Sequence, residues 1–259
     1  MAHRGFHLAK WYLDVAAEDG RLAIVYWTEL RWRGLALRAA SFLVATPHGE
    51  VRERSTLRAG CAPALAPEGV RLRCPRLGLE GAWRGAAGGE PVELWAGPAG
   101  SVAWECVLPS APAELSGPGF AIAGTGYAER VTLTAPPWRL PLKVLRWGRF
   151  AAPGGAFTWI DWRGPHAISL ALHGRERLAL DAAGEGEISA AGGRVRLALA
   201  ERTPLRAGTL GTGPLRRLAS LLPRPFLSVD ERKWRSRGRL SVDGRMMDGW
   251  VVHEEVTWP

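Results

Sequence analysis

The chain has 259 residues, of which 47% are hydrophobic and 23% are charged. These proportions are those of a folded globular protein and exclude an intrinsically disordered one. The formal charge of +9 raises the question of nucleic acid. Arginines recur on nearly every predicted strand rather than on one face, which is typical of solvated strand surfaces. Residues 232–237 form the tightest basic run and the best evidence for the alternative, yet we expect no nucleic-acid partner.

Cysteine usage and hydropathy argue against a disulfide-rich, zinc-binding, secreted or membrane-spanning protein. Cys61, Cys74 and Cys106 are odd in number, show no Cys-x-x-Cys spacing and have no paired histidine motif beside them. Neither a disulfide framework nor a zinc site is indicated, so we expect no metal and no cofactor. The first residues lack the apolar stretch of a signal peptide, and no window approaches the roughly 18 apolar residues of a membrane span. We expect a cytoplasmic protein without stable membrane insertion, and peripheral membrane contact is left open.

Thirty-two glycines and 19 prolines divide the chain into short segments, which is typical of β proteins. Runs with period-two alternation lie at residues 22–30, 35–46, 102–108, 129–134, 157–162, 168–173, 195–200 and 249–258. Asp19-Gly20 and Asp243-Gly244 are hairpin turn signals between such runs. Helical periodicity is rare, and residues 213–223, flanked by prolines, predict one short helix. The sequence therefore predicts an all-β protein of antiparallel strands.

The middle of the chain suggests a division. Residues 109–124 are rich in proline and glycine and are the candidate seam between two halves. We therefore expect an N-terminal β domain at residues 1–120 and a C-terminal β domain at residues 121–259. No repeat of fixed period is visible, so a duplicated barrel would be structural only.

Thirteen tryptophans against six phenylalanines and three tyrosines make an unusual aromatic profile. One interpretation is that Trp11, Trp104, Trp159 and Trp250 fill a wide barrel core, where each ring buries a large apolar area. The other is that several of them line a cavity for an apolar ligand. The sequence leaves both interpretations open.

Two carboxylates lie among apolar residues on predicted strands. On the last strand, alternation places Glu254 on one face with Trp250 and Trp258. If that face points inward, Glu254 is desolvated, which is the condition for a general acid at neutral pH. Asp161 shares a face with Trp159 in the same way. The favoured alternative for both is a structural ion pair with arginine, which for Asp161 is Arg163 or an arginine of a neighbouring strand.

A family resemblance rests on three short motifs. Residues 123–130 (AGTGYAER), followed by residues 137–141 (PWRLP) and 145–150 (LRWGRF), resemble the central motif of a lipocalin-like superfamily. Its members include carotenoid 1,2-hydratases (hydroxyneurosporene synthases), tocopherol cyclases and related Diels–Alderases. Residues 104–109 and 249–254 look similar to the flanking strands. The resemblance implies two packed lipocalin-like antiparallel β-barrels or sandwiches that hold a hydrophobic small molecule, isoprenoid or carotenoid in character.

This chain departs from the superfamily at one place. Members with hydratase activity carry a Tyr-His-Asp-His-Asn-Trp-Gly type of run, whereas the matching stretch here runs from Tyr127 to Thr132 without either histidine or the asparagine. Glu129 stands where the family has its acid. The polar network around that acid therefore differs from the family's network.

Three functions follow as hypotheses. The first is a cofactor-independent hydratase or cyclase that protonates an alkene of an isoprenoid ligand. Its candidate catalytic acids are Glu129, Glu254 and Asp161, and its candidate substrate-binding residues are Tyr127, Trp138, Trp147, Trp159, Trp104 and Trp250. The second is a non-catalytic carrier or chaperone for a hydrophobic metabolite, in which the acids are structural. The third is a purely structural or protein-interaction role, and the oligomeric state is left open.

Overall fold

The structure is a computed structural model that describes residues 5–212 and 222–259. Strands make up 68% of the described chain and helix 3%, as expected for the all-β class. The chain divides into two compact units, Met1–Arg139 and Leu140–Pro259. Each unit contains one antiparallel sheet. Among the described residues, no helix is long and apolar enough to cross a membrane.

The first unit contains a ten-stranded sheet over its described residues. Its strands are β1 (His7–Ala16), β2 (Leu22–Trp32), β3 (Leu35–Ala45), β4 (Val51–Thr56), β5 (Ala64–Ala66), β6 (Gly69–Cys74), β7 (Leu79–Arg84), β8 (Val92–Gly97), β9 (Gly100–Gly117) and β10 (Phe120–Leu133). They follow the order β4-β3-β2-β1-β10-β9-β7-β6-β5, and β8 pairs with β9. A 3-10 turn at Pro137–Arg139 ends the unit.

The second unit contains a nine-stranded sheet over its described residues. Its strands are β11 (Val144–Ala152), β12 (Gly155–Arg163), β13 (Ile168–His173), β14 (Glu176–Leu178), β15 (Leu180–Ala183), β16 (Glu187–Ala190), β17 (Val195–Thr209), β18 (Asp230–Val242) and β19 (Arg245–Thr257). The order is β14-β13-β12-β11-β19-β18-β17-β16-β15. A single residue, Ala179, connects the two end strands, so the sheet nearly closes on itself.

Local sequence signals account for the turns. Asp243 and Gly244 both have positive φ, 49° and 83°, as a two-residue hairpin loop of type I′ requires. Gly20 also has a positive φ, and its N–H donates to the carbonyl of Ala17 at 3.0 Å. The helix predicted at residues 213–223 lies mostly at residues 213–221, outside the described part of the chain. The short helix that the structure does describe is α1 (Arg224–Leu227).

The proline-rich segment at residues 109–124 forms the β9–β10 hairpin rather than a connection between halves. Strand β9 pairs with β8 up to Trp104 and with β7 from Ala113 onward. Between these residues it has β10 as its strand partner, so Pro109 and Pro112 interrupt no ladder on the other edge. The compact units divide between Arg139 and Leu140, later than the predicted division at residue 120, because β10 pairs within the first sheet. The assignment of the units as separate domains stays a prediction.

Both faces of the central strands are buried. In β1, Trp11, Leu13 and Val15 belong to the hydrophobic core of the first unit. Tyr12 and Asp14 point to the opposite face and are also buried, with Asp14 0% exposed. In the second unit, the core contains Phe150, Phe157, Trp159 and Val251 among others. Arg149 lies on the opposite face and is 0% exposed. Asp14 and Arg149 are therefore buried polar side chains on the face away from each core.

Candidate functional site

All three tyrosines of the chain meet on one face of the first sheet, on strands β1, β2 and β10. The ring of Tyr12 contacts the rings of Tyr26 and Tyr127 edge-on, with centroids 5.4 Å and 6.0 Å away. The ammonium group of Lys10 lies 4.7 Å from the centroid of the Tyr26 ring. Because the chain has three tyrosines in 259 residues, their convergence marks this face as chemically distinct.

Two of these tyrosines form matching pairs with carboxylates. The hydroxyl of Tyr12 donates to Oδ2 of Asp14 at 2.7 Å, and the hydroxyl of Tyr127 donates to Oε2 of Glu129 at 2.8 Å. In the ladder between β1 and β10, Tyr12 lies opposite Glu129 and Asp14 lies opposite Tyr127. The two Tyr-x-acid pairs therefore interlock across antiparallel strands. All four residues are buried.

Glu129 has a second donor on the same oxygen. The indole N–H of Trp104, on the neighbouring strand β9, donates to Oε2 of Glu129 at 2.6 Å. Burial raises the pKa of Tyr127 well above its usual value, and the nearby Cys106 and Glu129 add to this effect. Tyr127 is thus a neutral phenol whose hydroxyl donates a hydrogen bond to the carboxyl group of Glu129. Tyr12, Asp14, Tyr26, Trp104, Tyr127 and Glu129 are called the tyrosine–carboxylate cluster below.

The glycines before Tyr127 allow the strands to approach closely. A Cβ atom on Gly124 would lie 2.1 Å from the carbonyl oxygen of Ala16, and one on Gly126 would lie 2.5 Å from the ring of Trp83. The indole N–H of Trp83 donates to the backbone carbonyl of Asp14 at 2.7 Å. Gly126 therefore leaves space for the Trp83 ring, whose indole hydrogen-bonds to the Asp14 backbone. The lack of space for a Cβ atom explains why glycine occupies both positions of the Gly-x-Gly-Tyr motif.

Trp138 lies outside this cluster. Its ring packs against Phe6 at 5.8 Å and against Trp32 at 5.2 Å, and both contacts are edge-on. Of the tryptophans considered as core filler, Trp11 belongs to the core of the first unit and Trp104 binds Glu129 instead. Trp11 therefore agrees with the core-filling interpretation, and the cavity-lining interpretation stays a prediction.

In the second unit, Glu254 takes part in an ion pair. Its carboxylate accepts a hydrogen bond from Lys233, which is 1% exposed. Glu231 also lies 3.5 Å from the ammonium group of Lys233. Trp147 lies opposite Glu254 in the β11–β19 ladder, and Lys233 lies 6.0 Å from the centroid of its ring. The ion-pair alternative thus describes Glu254, with lysine in place of the expected arginine.

Asp161 is also neutralised by a neighbouring charge. The guanidinium of Arg163 donates to its Oδ2 at 2.8 Å, and Ser169 donates to its Oδ1 at 3.3 Å. Trp159, on the same face, belongs to the hydrophobic core. These contacts match the structural alternative for Asp161, because Arg163 is the arginine that the alternative names as its partner.

Two cavities show where molecules could enter. A small one of about 30 Å³ in the second unit brings together Trp147, Trp159, His253 and Glu254, and it has room for about one water molecule. A larger, open groove of about 1250 Å³ crosses β6, β7, β9 and β10 of the first unit. Its lining contains Trp83, whose indole donates a hydrogen bond to the Asp14 carbonyl. The lining contains none of the predicted site residues. Trp83 is the lining residue that hydrogen-bonds to a member of the tyrosine–carboxylate cluster, through the backbone carbonyl of Asp14.

Sequence reasoning missed three members of the cluster, namely Tyr12, Asp14 and Tyr26. A usable signal was present, because Tyr12-x-Asp14 repeats the spacing of Tyr127-x-Glu129. Two such tripeptides on strands that pair in antiparallel fashion place each tyrosine opposite the other's acid. The pairing of β1 with β10, more than 100 residues apart, is what the sequence alone does not reveal.

Comparisons with known proteins support the fold. No family model and no curated protein matches the sequence. The structure is similar to that of CghA with Sch210972, with a TM-score of 0.58 and 13% identity over 98% of this chain and 89% of that one. It is also similar to kievitone hydratase from Nectria haematococca, with a TM-score of 0.53 and 11% identity over 99% of this chain and 90% of that one. Membership of the lipocalin-like superfamily stays a prediction, and the chain shares the fold of these two proteins.

Proposed function

We propose that this protein binds a hydrophobic, isoprenoid-like small molecule and hydrates or cyclises it by protonating an alkene at the tyrosine–carboxylate cluster. The observation that carries the proposal is the pair of interlocked contacts, Tyr12 with Asp14 and Tyr127 with Glu129. One protein of the same fold is named a hydratase, which supports the reaction class. Glu129 is the acid in this proposal, and the ion pairs of Glu254 and Asp161 support structural roles for those two carboxylates.

The geometry of Glu129 suits proton donation. Trp104 and Tyr127 both donate to Oε2 of Glu129, and we place the transferable proton on Oε1. Asp14 lies diagonally across the ladder from Glu129, at a spacing of roughly 7–8 Å. The proposed reaction requires Glu129 to carry the proton that is transferred.

The same donors stabilise the charge that forms during the reaction. As the proton moves from Oε1 to an alkene carbon, Glu129 becomes a carboxylate, and the hydrogen bonds from Trp104 and Tyr127 strengthen. The aromatic faces of the cluster stabilise the carbocation through their quadrupoles. Water or a nucleophile of the substrate then captures the cation and releases one proton, which returns to Glu129. The net reaction adds water or closes a ring, without oxidation or reduction.

Deuterium incorporation tests this proposal. Purified protein is incubated in D₂O with acyclic isoprenoid alkenes such as geraniol, farnesol and lycopene, and products are analysed by mass spectrometry. Protonation by the enzyme places deuterium on carbon in the product. Glu129→Gln removes the transferable proton and should abolish this label, and Tyr127→Phe should reduce it about 10- to 100-fold.

Glu53→Gln is the matched control, because Glu53 is exposed on the edge strand β4 and lies outside the groove and the cluster. It should incorporate deuterium at the wild-type rate. Full labelling by folded Glu129→Gln protein contradicts the assignment of the acid.

A carrier function is the second candidate, and one observation favours it. The positions that match the family's two histidines hold Ala128, which is buried in the core, and Arg130, which binds Glu105 at 2.6 Å. Neither position supplies a proton relay to the cluster. Mass spectrometry of the organic extract of the purified protein separates the two functions. A carrier releases its ligand unaltered and incorporates no deuterium during incubation.

A further inference from the structure

The β2–β3 hairpin ends in a short turn that carries arginine beside exposed apolar side chains. Arg33 and Gly34 form the turn, and their positive φ angles of 50° and 81° are those of type I′. Leu35 follows the turn and is 38% exposed, an unusual exposure for a large hydrophobic residue of this chain. In the ladder Leu35 lies opposite Trp32, so both side chains lie on one face of the hairpin. The tip therefore presents apolar side chains at the surface of the first unit.

Aromatic and cationic neighbours surround Trp32. Its ring lies 6.4 Å from the ring of Phe6 and 5.2 Å from that of Trp138, and both contacts are edge-on. The guanidinium of Arg33 lies 4.8 Å from the centroid of the Trp32 ring. Tryptophan joins a large apolar ring to an indole N–H, and it is enriched where proteins meet the headgroups of a lipid bilayer. Arginine suits the same place, because its apolar stem lies along apolar surface while its charge stays in water.

The opposite face of the hairpin carries charge. Arg31 and Arg38 both pair with Glu29, at 2.5 Å and 2.7 Å. Both arginines are exposed, and so is Arg33 in the turn. Three positive charges thus lie beside one negative charge at the end of the hairpin. The tip combines an apolar face with an excess of exposed positive charge, which is the pattern of segments that bind anionic lipid surfaces.

The tightest basic run of the sequence, residues 232–237, is less exposed. Lys233 and Arg235 lie on one face of β18 and are 1% and 3% exposed. Lys233 pairs with Glu254 within the second unit. The run therefore offers a large anionic partner less charge than its sequence suggests.

Apolar side chains continue from the tip along the same face of the first sheet. One row of leucines crosses four neighbouring strands at directly opposed positions: Leu37, Leu30, Leu8 and Leu133. Trp32 lies two residues from this row on the side of the tip. On the other side, the row of Tyr26, Tyr12 and Glu129 lies four residues farther along the strands, or roughly 13 Å. The apolar side of the tip and the tyrosine–carboxylate cluster thus share one face.

We propose that the tip of the β2–β3 hairpin docks this protein on a lipid bilayer that contains anionic headgroups. Trp32 and Leu35 enter the interface between water and hydrocarbon, and the arginines of the tip lie at the level of the headgroups. Charge complementarity between these arginines and anionic lipid selects the partner. The proposal does not depend on the reaction proposed for the tyrosine–carboxylate cluster. Vesicle binding and deuterium incorporation are separate measurements, so either proposal can fail alone.

Vesicle flotation tests the docking. Vesicles of phosphatidylcholine with about 30 mol% phosphatidylserine present anionic headgroups, whereas vesicles of phosphatidylcholine alone have no net charge. The wild type should bind the anionic vesicles at least about tenfold more tightly, because each arginine near an anionic surface contributes about fivefold. Raising the salt concentration from about 0.1 M to about 0.5 M should weaken this binding through screening. Equal binding to both vesicles, or binding to neither, overturns the proposal.

Arg33→Asn is the decisive charge variant. Asparagine followed by glycine is the preferred sequence of a type I′ turn, so the melting temperature should stay unchanged or rise. Binding to anionic vesicles should fall about fivefold. Arg76→Asn is the matched control, because Arg76 is an exposed turn residue between β6 and β7 of the same unit. It should bind as the wild type does, and an equal loss in both variants overturns the proposal.

Leu35→Thr tests the apolar part of the contact. Threonine suits a β-strand as leucine does but removes apolar surface, so binding to anionic vesicles should fall about threefold while its salt dependence remains. Leu65→Thr is the matched control, because Leu65 is 45% exposed on β5 of the same unit. It should bind as the wild type does. Wild-type binding by folded Leu35→Thr or by folded Arg33→Asn assigns the contact to another surface and overturns the proposal.

Discussion

Acidification should destabilise this protein through a single buried imidazole. His253 is 7% exposed on the core side of β19, and the ring of Trp234 stacks on it at 5.3 Å. Its Nε2 lies 3.0 Å from the hydroxyl of Ser236. Burial lowers the pKa of His253 from 6.5 to about 4, and the positive charges of Arg202 and Lys233 contribute to this shift. The folded protein therefore holds His253 neutral at pH 7.

The direction and size of the effect follow from linkage. Between pH 6.5 and pH 4 the unfolded chain binds a proton at this residue that the folded chain does not bind. The contribution of His253 to stability is fully present above pH 6.5 and is lost as the pH falls toward 4. A shift of this size corresponds to about 3 kcal/mol in total, of which about 2 kcal/mol is lost between pH 7 and pH 5.

Urea unfolding followed by far-UV circular dichroism at pH 7, 6 and 5 measures this loss. The free energy of unfolding of the wild type should fall by about 2 kcal/mol more than that of His253→Gln over this range. Ser236→Ala is the matched control, because it removes the hydrogen bond but keeps the imidazole. It should lose about 1 kcal/mol at every pH and retain the pH dependence. Parallel pH profiles for the wild type and His253→Gln, or an imidazole that titrates near pH 6.5, refute the reasoning.

Three further predictions concern the first unit and are checked by urea unfolding. Gly126→Ala should cost about 2 kcal/mol or more, because the new Cβ atom meets the ring of Trp83 at 2.5 Å, whereas Gly186→Ala, with open space around it, should cost little. Trp83→Phe should cost about 1–3 kcal/mol, because it leaves the buried carbonyl of Asp14 without its indole donor. Tyr12→Phe should cost about 1.5–3 kcal/mol, because the Asp14 carboxylate loses the hydroxyl that donates to it.

Local patterns predicted much of the fold. Positive φ angles at Asp243 and Gly244 confirm a hairpin that two residues of sequence had indicated. Glu254 and Trp250 lie on one face of β19, as alternation predicted, because the side-chain period of a strand holds in any context. The position of the division between units was not predictable from the prolines of β9. A strand accepts prolines where no neighbouring strand needs their backbone N–H groups. In β9 this depends on where β8 and β7 stop pairing with it, which the local sequence does not show.

The sequence predicted part of the candidate site, because the alternation of residues in a strand does not show which of its faces are buried. Glu129, Tyr127 and Trp104 were identified from the sequence and are joined by hydrogen bonds. Asp14 was missed because it interrupts the apolar run of β1, where a lone carboxylate is usually read as the solvated side of the strand. Arg235 was assigned to a solvated face for the same reason. Alternation shows which residues share a face, but not whether that face is covered.

Burial of both strand faces explains why Asp14 was missed and why Arg235 was assigned to solvent. A strand with one apolar and one polar buried face must satisfy its polar groups within the protein, since an unpaired buried charge is costly. The chain does this with short, local partners: Tyr12 for Asp14, Tyr127 for Glu129, and Lys233 for Glu254. Where partners are complete, as at Lys233, the charge is structural. Where a buried donor has no partner, as at Thr158 and Trp250, the folded protein bears the cost of removing that donor from water.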